Sequence, residues 1–366
     1  MIKIKSPGRI CLFGEHQDYL GYPIISLAIS KYIYIEAKRI TEPKLRINLP
    51  DTDENIEIFL NQKELEYESK RDYIKSGYNL FLRMGIKFQK GYEISIKGDI
   101  PINAGVASSS ALVIGWLYFL DHITNHALSK FQLALEGYNT EVKEFNEAGG
   151  MMDHFTATFG KLIYLEQTTS SPNLITFDLS LNGFVLGNSL EKKSTVEDLI
   201  NVKKTSLDSF RLLKESMPNF NPLKTFIDDV IPFLPSIEKK YRKKIIGNLE
   251  NRDITKIALN LIKEYYQNMN KVNSNQLKEF YTQLGNLLNL HHQNLRDYIQ
   301  VSTNKINDMI SASLNAGALG AKINGSGFGG TMLALTFDKK DALKSAIEKV
   351  GGKADFLKTS NGVETY

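Results

Sequence analysis

The chain of 366 residues reads as an α+β protein of two domains, and three observations lead there. Strand-like alternation broken by turns fills the first ~170 residues, with a few helices. Helical spacing rich in Lys, Glu, Leu and Asn then runs from 193 to 316. From Lys322 onward glycines and short β-like runs return. The length exceeds the size at which one core stops growing, so two units are expected, residues 1–180 and 181–366.

Taken in order, Ile2 to Lys5 alternates Ile and Lys, a half-exposed strand cut off by Pro7 and Gly8. The apolar run Ile10 to Phe13 ends abruptly in the polar cluster GEHQDYLGYP. Ile24–Ile29 and Lys31–Lys38 return to strand patterns, followed by strands and turns from Leu45 to Leu60. Residues 63 to 84 have helical spacing, with Tyr73, Gly77, Leu80 and Phe81 on one face. Tyr92 to Lys97 alternates again and feeds GDIPINAGVASSS, whose Pro and glycines keep it irregular. Ala111 to Leu120 is apolar all round, which marks a buried helix with a serine expected as its N-cap. Leu162 to Glu166 reads as a strand, and Ile175 to Leu186 offers one or two more. Pro218, Pro222, Pro232 and Pro235 divide the helical region. Thr331–Phe337 and Ala354–Lys358 are short strands around a helix over Asp341–Val350. No internal repeat or low-complexity tail is present.

Composition narrows the function classes. At 42% hydrophobic and 23% charged, the chain is an ordinary globular protein with material for a sizeable core. Its net charge of +4 suits a small anionic substrate and falls short of a nucleic-acid-binding face. Cys11 is the single cysteine, which excludes an internal disulfide and a multi-cysteine zinc site. The N-terminus lacks the apolar core of a signal peptide, and no apolar run approaches the ~20 residues that span a bilayer. A cytoplasmic location is the default expectation, with neither nucleic acid nor membrane as partner.

Four stretches carry chemistry. Pro7-Gly8-Arg9 followed by Gly14-Glu15-His16-Gln17-Asp18-Tyr19 gathers ionisable groups at one strand end, which suits hydroxyl recognition. Ser108, Ser109 and Ser110 precede the apolar helix, whose first turn has free N–H groups and a positive dipole end for an anion. In TEVKEFNEAGGMMDHF, Asp153 lies among Met151, Met152, Phe155 and Phe159, where a carboxylate needs a partner or a task; a helix cap is the simpler alternative. GAKINGSGFGGTMLAL places five glycines within a dozen residues, permitting close backbone approach. It lacks the Gly-Lys-Ser/Thr of a Walker loop.

In this order the four stretches resemble the GHMP kinase superfamily, and within it the galactokinases. SPGRICLFGEHQDYLG is similar to the signature PGRxNLIGEHTDYxGG, and GGMMDHF to GIMDQF. LRDYIQVSTNKINDMISASLNAGALGAKINGSGFGGTMLAL is similar to that family's C-terminal motif. The resemblance covers nearly the whole chain. It implies a two-domain GHMP kinase fold: an N-terminal domain like domain 2 of ribosomal protein S5, a helix-rich ferredoxin-like C-terminal domain, and the active site in the cleft between them. It further implies transfer of the γ-phosphoryl of ATP to a sugar hydroxyl, in galactokinase the anomeric one, with a sugar and ATP as partners and a monomer or weak homodimer.

Residue by residue, the resemblance gives Ser110 and Glu141 as ligands of Mg²⁺, a cation that prefers hard oxygen donors. Asn103, Ala104, Gly105, Val106, Ala107, Ser108 and Ser109 would wrap the phosphates, and Tyr73 would stack on the base. Asp153 would face the reacting hydroxyl, with Arg9 offsetting phosphoryl charge and keeping Asp153 ionised. Glu15, His16, Asp18 and Gly150 would contact the sugar. Several positions depart from the pattern. Gln17 replaces Thr, His154 replaces Gln, and INAGVASSS replaces LGxGLSSS. The Tyr-Asn-x-Arg-Arg segment that brings a tyrosine to the sugar is absent from GNSLEKKSTVEDLINVKK. These departures bear on the acceptor, so a uronic acid, pentose, heptose phosphate or mevalonate kinase, and an inactive sugar sensor, stand as alternatives. The Glu-His-Gln-Asp cluster speaks against mevalonate.

Overall fold

The computed structural model describes all residues except 102–103, 168–170 and 192–195. Two sheets form its frame. The first runs β12-β1-β2-β5-β3-β4, with β6 on β2 and β7 on β6. Its strands are β1 (Ile2–Phe13), β2 (Ile24–Ile40), β3 (Lys44–Leu49), β4 (Glu54–Phe59), β5 (Gly91–Gly98), β6 (Leu162–Gln167), β7 (Pro172–Phe177) and β12 (Glu364–Thr365). All its pairs are antiparallel except β3–β5. The two strand patterns expected over 24–38 are one strand, and β2 pairs first with β6 and then, beyond Ser30, with β5. The β1–β2 register shifts between Pro7 and Arg9 and between Cys11 and Phe13. Bulges of this kind re-aim side chains, and Arg9 lies at the first.

Helices α1 (Tyr73–Arg83), α2 (Ser108–Thr124), α3 (Lys130–Tyr138) and α4 (Met152–Phe159) accompany this sheet. The apolar α2 is its core, with Ala111, Val113, Ile114, Trp116, Leu117, Phe119 and Leu120 fully buried. The Trp116 indole donates to the Ile74 carbonyl at 2.9 Å, which removes the one polar cost of burying it. α1 starts ten residues later than its spacing suggests. Asp72 caps it by accepting from the Lys75 N–H, and the Asn79 amide clamps the preceding segment through both backbone groups of Leu65.

The second sheet, β11-β8-β10-β9, is antiparallel throughout. Its strands are β8 (Phe184–Asn188), β9 (Gly320–Asn324), β10 (Thr331–Leu335) and β11 (Lys353–Phe356), with α9 (Asn304–Asn315) and α10 (Lys340–Lys349) packed on it. Strand order 4-1-3-2 in a βαββαβ chain is the ferredoxin-like arrangement. Between β8 and α9 lie α5 (Val196–Ser216), α6 (Ile227–Val230), α7 (Lys239–Asn268) and α8 (Ser274–Asn294). The halves share one core: Ile10, Leu12, Ile25 and Leu27 of the first sheet pack with Leu284, Leu288 and Leu333 of the second half. After β11 the chain crosses back, so that Glu364 and Thr365 pair with Lys5 and Ile4. Among the described residues no helix is long and apolar enough to cross a membrane.

Candidate active site

Arg9 leaves the bulge in β1 and is 5% exposed. Its Nε and Nη2 donate to the two carboxylate oxygens of Asp153, at 2.7 and 2.9 Å, and Nη1 donates to the Gly105 carbonyl at 2.6 Å. Asp153 is the second residue of α4, whose N-cap is Met151, so it does not cap the helix. One guanidinium thus ties a carboxylate to the loop ahead of α2.

That loop is held by its carbonyls. Ala104 O accepts from the Thr331 hydroxyl at 2.9 Å, Gly105 O from the Asn324 amide at 2.9 Å, Val106 O from the Arg9 N–H at 3.1 Å and Ala107 O from the Ala111 N–H at 3.0 Å. Ala107 is the residue that precedes α2, in the left-handed region at φ 62°, and no side chain caps the helix. The expected serine cap is therefore corrected. The turn at Ala107 brings Ser108 into the first helical position, where its N–H and those of Ser109 and Ser110 have no intrahelical partner. The carbonyls of this segment are thus taken up within the protein, and Ser108–Ser110 line the small cavity at a helix start, the kind of place that binds anions. Gly325 and Gly330 make the approach possible: a Cβ there would lie 2.6 Å from Gly105 O and 2.9 Å from Ala104 O. Asn103 lies outside the described residues.

Glu141 sits on a single π-helical turn, Asn139–Lys143, and is buried. His154 Nε2 is 2.7 Å from its Oε2. Burial pushes the Glu141 carboxyl up, but His154 and the Ser109 and Ser110 hydroxyls outweigh it and hold it below its usual value. The carboxylate therefore keeps its charge beside the serine-led helix.

Glu15 is 2% exposed and forms a buried ion pair with Lys322, whose ammonium also reaches Cys11 O at 3.1 Å and Ile323 O at 2.7 Å. His291 accepts from the Gly14 N–H through Nε2 at 3.0 Å, and its Nδ1 stands 3.8 Å from Glu15 Oε2. Burial, then Lys322, hold His291 well below its ordinary pKa. The neutral ring carries its proton on Nδ1, toward Glu15. His16 is in the left-handed region, with Nδ1 3.0 Å from Tyr19 OH and Nε2 2.9 Å from Ser326 O. Nε2 thus joins the first motif to the glycine-rich turn, while Nδ1 stays within the motif. Asp18 accepts from the Tyr19 N–H at 2.8 Å, and its pKa is pushed up to about 6, first by burial and then by Asp153. Gly150 has no room for a Cβ, which would fall 2.1 Å from Asp18 Oδ2.

Two cavities adjoin. One, of about 250 Å³, is lined by Arg9, Glu15, His16, Asp18, Gly105, Ser108–Ser110, Glu141, Gly150 and Asp153. The other, of about 1240 Å³, is lined by β3, β4 and β5, the starts of α1 and α2, and β8 and β11 of the second sheet, and Tyr73 is on its wall. There the Tyr73 hydroxyl donates to Glu147 at 3.1 Å and its ring packs edge-on against Phe145. Four distant segments of the sequence therefore meet at the small cavity. Lys322, His291, Asn324 and the His154–Glu141 contact were not among the residues expected there. Each is a side-chain pairing across many residues, and the only local hints were the position of Lys322 beside the glycine-rich turn and the replacement at His154.

Comparison with known proteins agrees with this architecture. Residues 72–161 match the GHMP kinases N terminal domain, 276–353 the GHMP kinases C terminal family, and 2–39 the galactokinase galactose-binding signature. The chain is 28% identical to a mevalonate kinase of Pyrococcus furiosus, over 95% of its own length and 92% of that protein. It is 27% identical to a galactokinase of the same organism over 99% of both chains. Among solved structures, Lactococcus lactis galactokinase complexed with galactose superposes with a TM-score of 0.81 at 23% identity, over 100% of this chain and 94% of that one. Methanococcus jannaschii mevalonate kinase superposes with a TM-score of 0.73 at 21% identity over 98% of both. At those identities the superpositions show a shared fold. From its N- and C-terminal domains, its signature and its architecture, the chain belongs to the GHMP kinase superfamily and is an ATP-using kinase of galactokinase-like form.

Proposed function

We propose that this kinase transfers the γ-phosphoryl of ATP to the anomeric hydroxyl of galactose or a closely related neutral sugar, giving the sugar 1-phosphate. The observation that carries the reading is the charge of the small cavity. Asp18 and Asp153 crowd together there, and Glu15 lies on the wall. Of the two arginines among its described lining residues, Arg9 is taken up by Asp153 and Gly105 O, and Arg71, on the side shared with the large cavity, is paired with Glu147. Sugar hydroxyls donate to such carboxylates, whereas the carboxylate of mevalonate or a uronic acid would meet like charge. The galactose-binding signature over 2–39 supports the same choice.

In this reading the sugar lies against Glu15, His16, Asp18 and Gly150. Asp153 accepts the proton of the reacting hydroxyl or holds it in line, and Arg9 keeps Asp153 ionised while offsetting charge on the phosphoryl. Ala104 to Ser110 receive the polyphosphate on their N–H groups, and Tyr73 borders the base. Ser110 and Glu141 would hold Mg²⁺: they are hard oxygen donors, and the carboxylate is kept charged by its neighbours, so the residues fit. Held there, Mg²⁺ would offset the negative charge of the polyphosphate. The division at 180/181 is proposed with the last residues returned to the first sheet.

The mevalonate kinase reading has the 28% identity to the Pyrococcus protein in its favour. An ADP-release screen over galactose, its 2-deoxy and N-acetyl derivatives, galacturonate, arabinose, fucose and mevalonate separates the two. Turnover with galactose or a neutral relative is expected. Turnover with mevalonate and none with any sugar overturns the proposal, and nucleotide and sugar binding without ADP release marks a sensor.

A further inference from the structure

Three described residues, Arg71, Ser108 and Ser109, line both cavities. The serines open α2, where the phosphates of a nucleotide reaching from the large cavity into the small one would lie. Arg71 lines the same junction from just ahead of α1. Its Nε and Nη2 donate to the two carboxylate oxygens of Glu147, at 2.7 and 3.2 Å. Nη1 is left with its donors, on a side chain that is 48% exposed. The backbone at Arg71 has φ 143°, a conformation that residues with a Cβ rarely adopt. It is held there by the Asp72 cap of α1, by the Tyr73 N–H on Arg71 O at 2.8 Å and by the Glu147 fork. Strain of this kind persists where surrounding contacts over-determine it, often at functional sites.

The electrostatics of the junction explain why a cation is needed. The small cavity holds the carboxylates of Asp18, Glu141, Glu147 and Asp153, and its deeper arginine, Arg9, is committed to Asp153 and Gly105 O. A polyphosphate entering from the large cavity meets this acidic wall. Arg71 is the guanidinium at the point of entry, aligned by Glu147 and with donors to spare.

We propose that Arg71 is a second arginine of the phosphoryl-transfer site, contacting the terminal phosphates of the nucleotide, with Glu147 as the positioning residue that aims it. The proposal rests on the kinase reading above. It differs from a plain tether between the segment before α1 and the segment before α4, because a tether acts equally through either partner and ignores the length of the phosphate chain.

The test is equilibrium binding of AMP, ADP and a non-hydrolysable imido analogue of ATP to the wild type, Arg71→Met, Arg71→Lys and Glu147→Gln. Arg71→Met is expected to weaken the ATP analogue about 10- to 100-fold, the size of a lost charged hydrogen-bond pair, with AMP affinity unchanged. Glu147→Gln, which keeps the guanidinium, is expected to weaken the analogue by less. Equal losses in Arg71→Met and Glu147→Gln, or equal losses for AMP and the ATP analogue, overturn the proposal. If Arg71→Met does not fold, Arg71→Lys decides. Several-fold weaker analogue binding with AMP unchanged supports the role, and unchanged binding of both overturns it. A wild type that binds the analogue but phosphorylates no acceptor defeats the acceptor reading alone, and these binding comparisons still decide Arg71. A wild type that binds no nucleotide overturns both.

Discussion

The large and small cavities are built in opposite ways. The large one is lined by β3, β4 and β5, the starts of α1 and α2 and, from the second half, β8 and β11, and its charged pairs such as Lys31–Asp355 are partly exposed. The small one takes residues from six separate places, including Ser326 in the glycine-rich turn and Leu199 on α5. Its buried charges come in pairs whose partners are 144 residues apart for Arg9–Asp153 and 307 for Lys322–Glu15. A wall of strand faces and partly exposed ion pairs tolerates the loss of one of them. A site made of buried long-range ion pairs does not, because removing one partner leaves an uncompensated buried charge.

Breaking the small cavity should therefore cost far more than altering the large one. Arg9→Met removes the donor to Asp153 and to Gly105 O together, and turnover should fall about 10²- to 10³-fold or more, the cost of one preorganised electrostatic group. Steady-state kinetics checks this; a change below tenfold would place Arg9 outside the reaction. Lys322→Met leaves Glu15 charged and buried without its partner, which should destabilise the fold by about 3–5 kcal/mol. Urea unfolding measures it, and a loss under 1 kcal/mol would mean that Glu15 is protonated or finds another partner.

A smaller effect comes from Asp18. Its folded pKa, about 6, lies above the ordinary carboxylate value, so ionising it works against folding. Stability should fall as pH rises from about 4 through 6. Asp18→Asn removes that penalty and should be more stable than wild type above pH 6 by about 1–3 kcal/mol, with the difference vanishing below pH 4. Parallel unfolding curves at pH 4 and pH 7.5 test the sign. A variant less stable at the higher pH would show that Asp18 is stabilised by its charge.

The same contrast sets what could be read from the sequence. The two-part α+β architecture was legible because α2 is apolar throughout and the glycine-rich run precedes β10, patterns carried by neighbouring residues. The four chemical stretches were legible too, since Arg9, Ser108–Ser110, Glu141 and Asp153 each lie in a short motif. Their pairings were not. Nothing local says that Lys322 neutralises Glu15, that Asn324 clasps Gly105 O, or that His154 meets Glu141. The serine cap failed for a related reason: Ala107 adopts φ 62° because the loop carbonyls are pinned by residues from 9 and 331, which an alanine does not advertise. The late start of α1 likewise reflects a side-chain clamp by Asn79.

The central claim is that Asp153, held by Arg9 beside the serine-led helix, acts on the acceptor hydroxyl. The most direct test pairs single-turnover phosphoryl transfer with calorimetric binding for Asp153→Asn. The account predicts that transfer from ATP to galactose falls about 10²- to 10⁴-fold while the affinities for ATP and for galactose stay within a few-fold of wild type. A variant that transfers phosphate at a near-normal rate would contradict it.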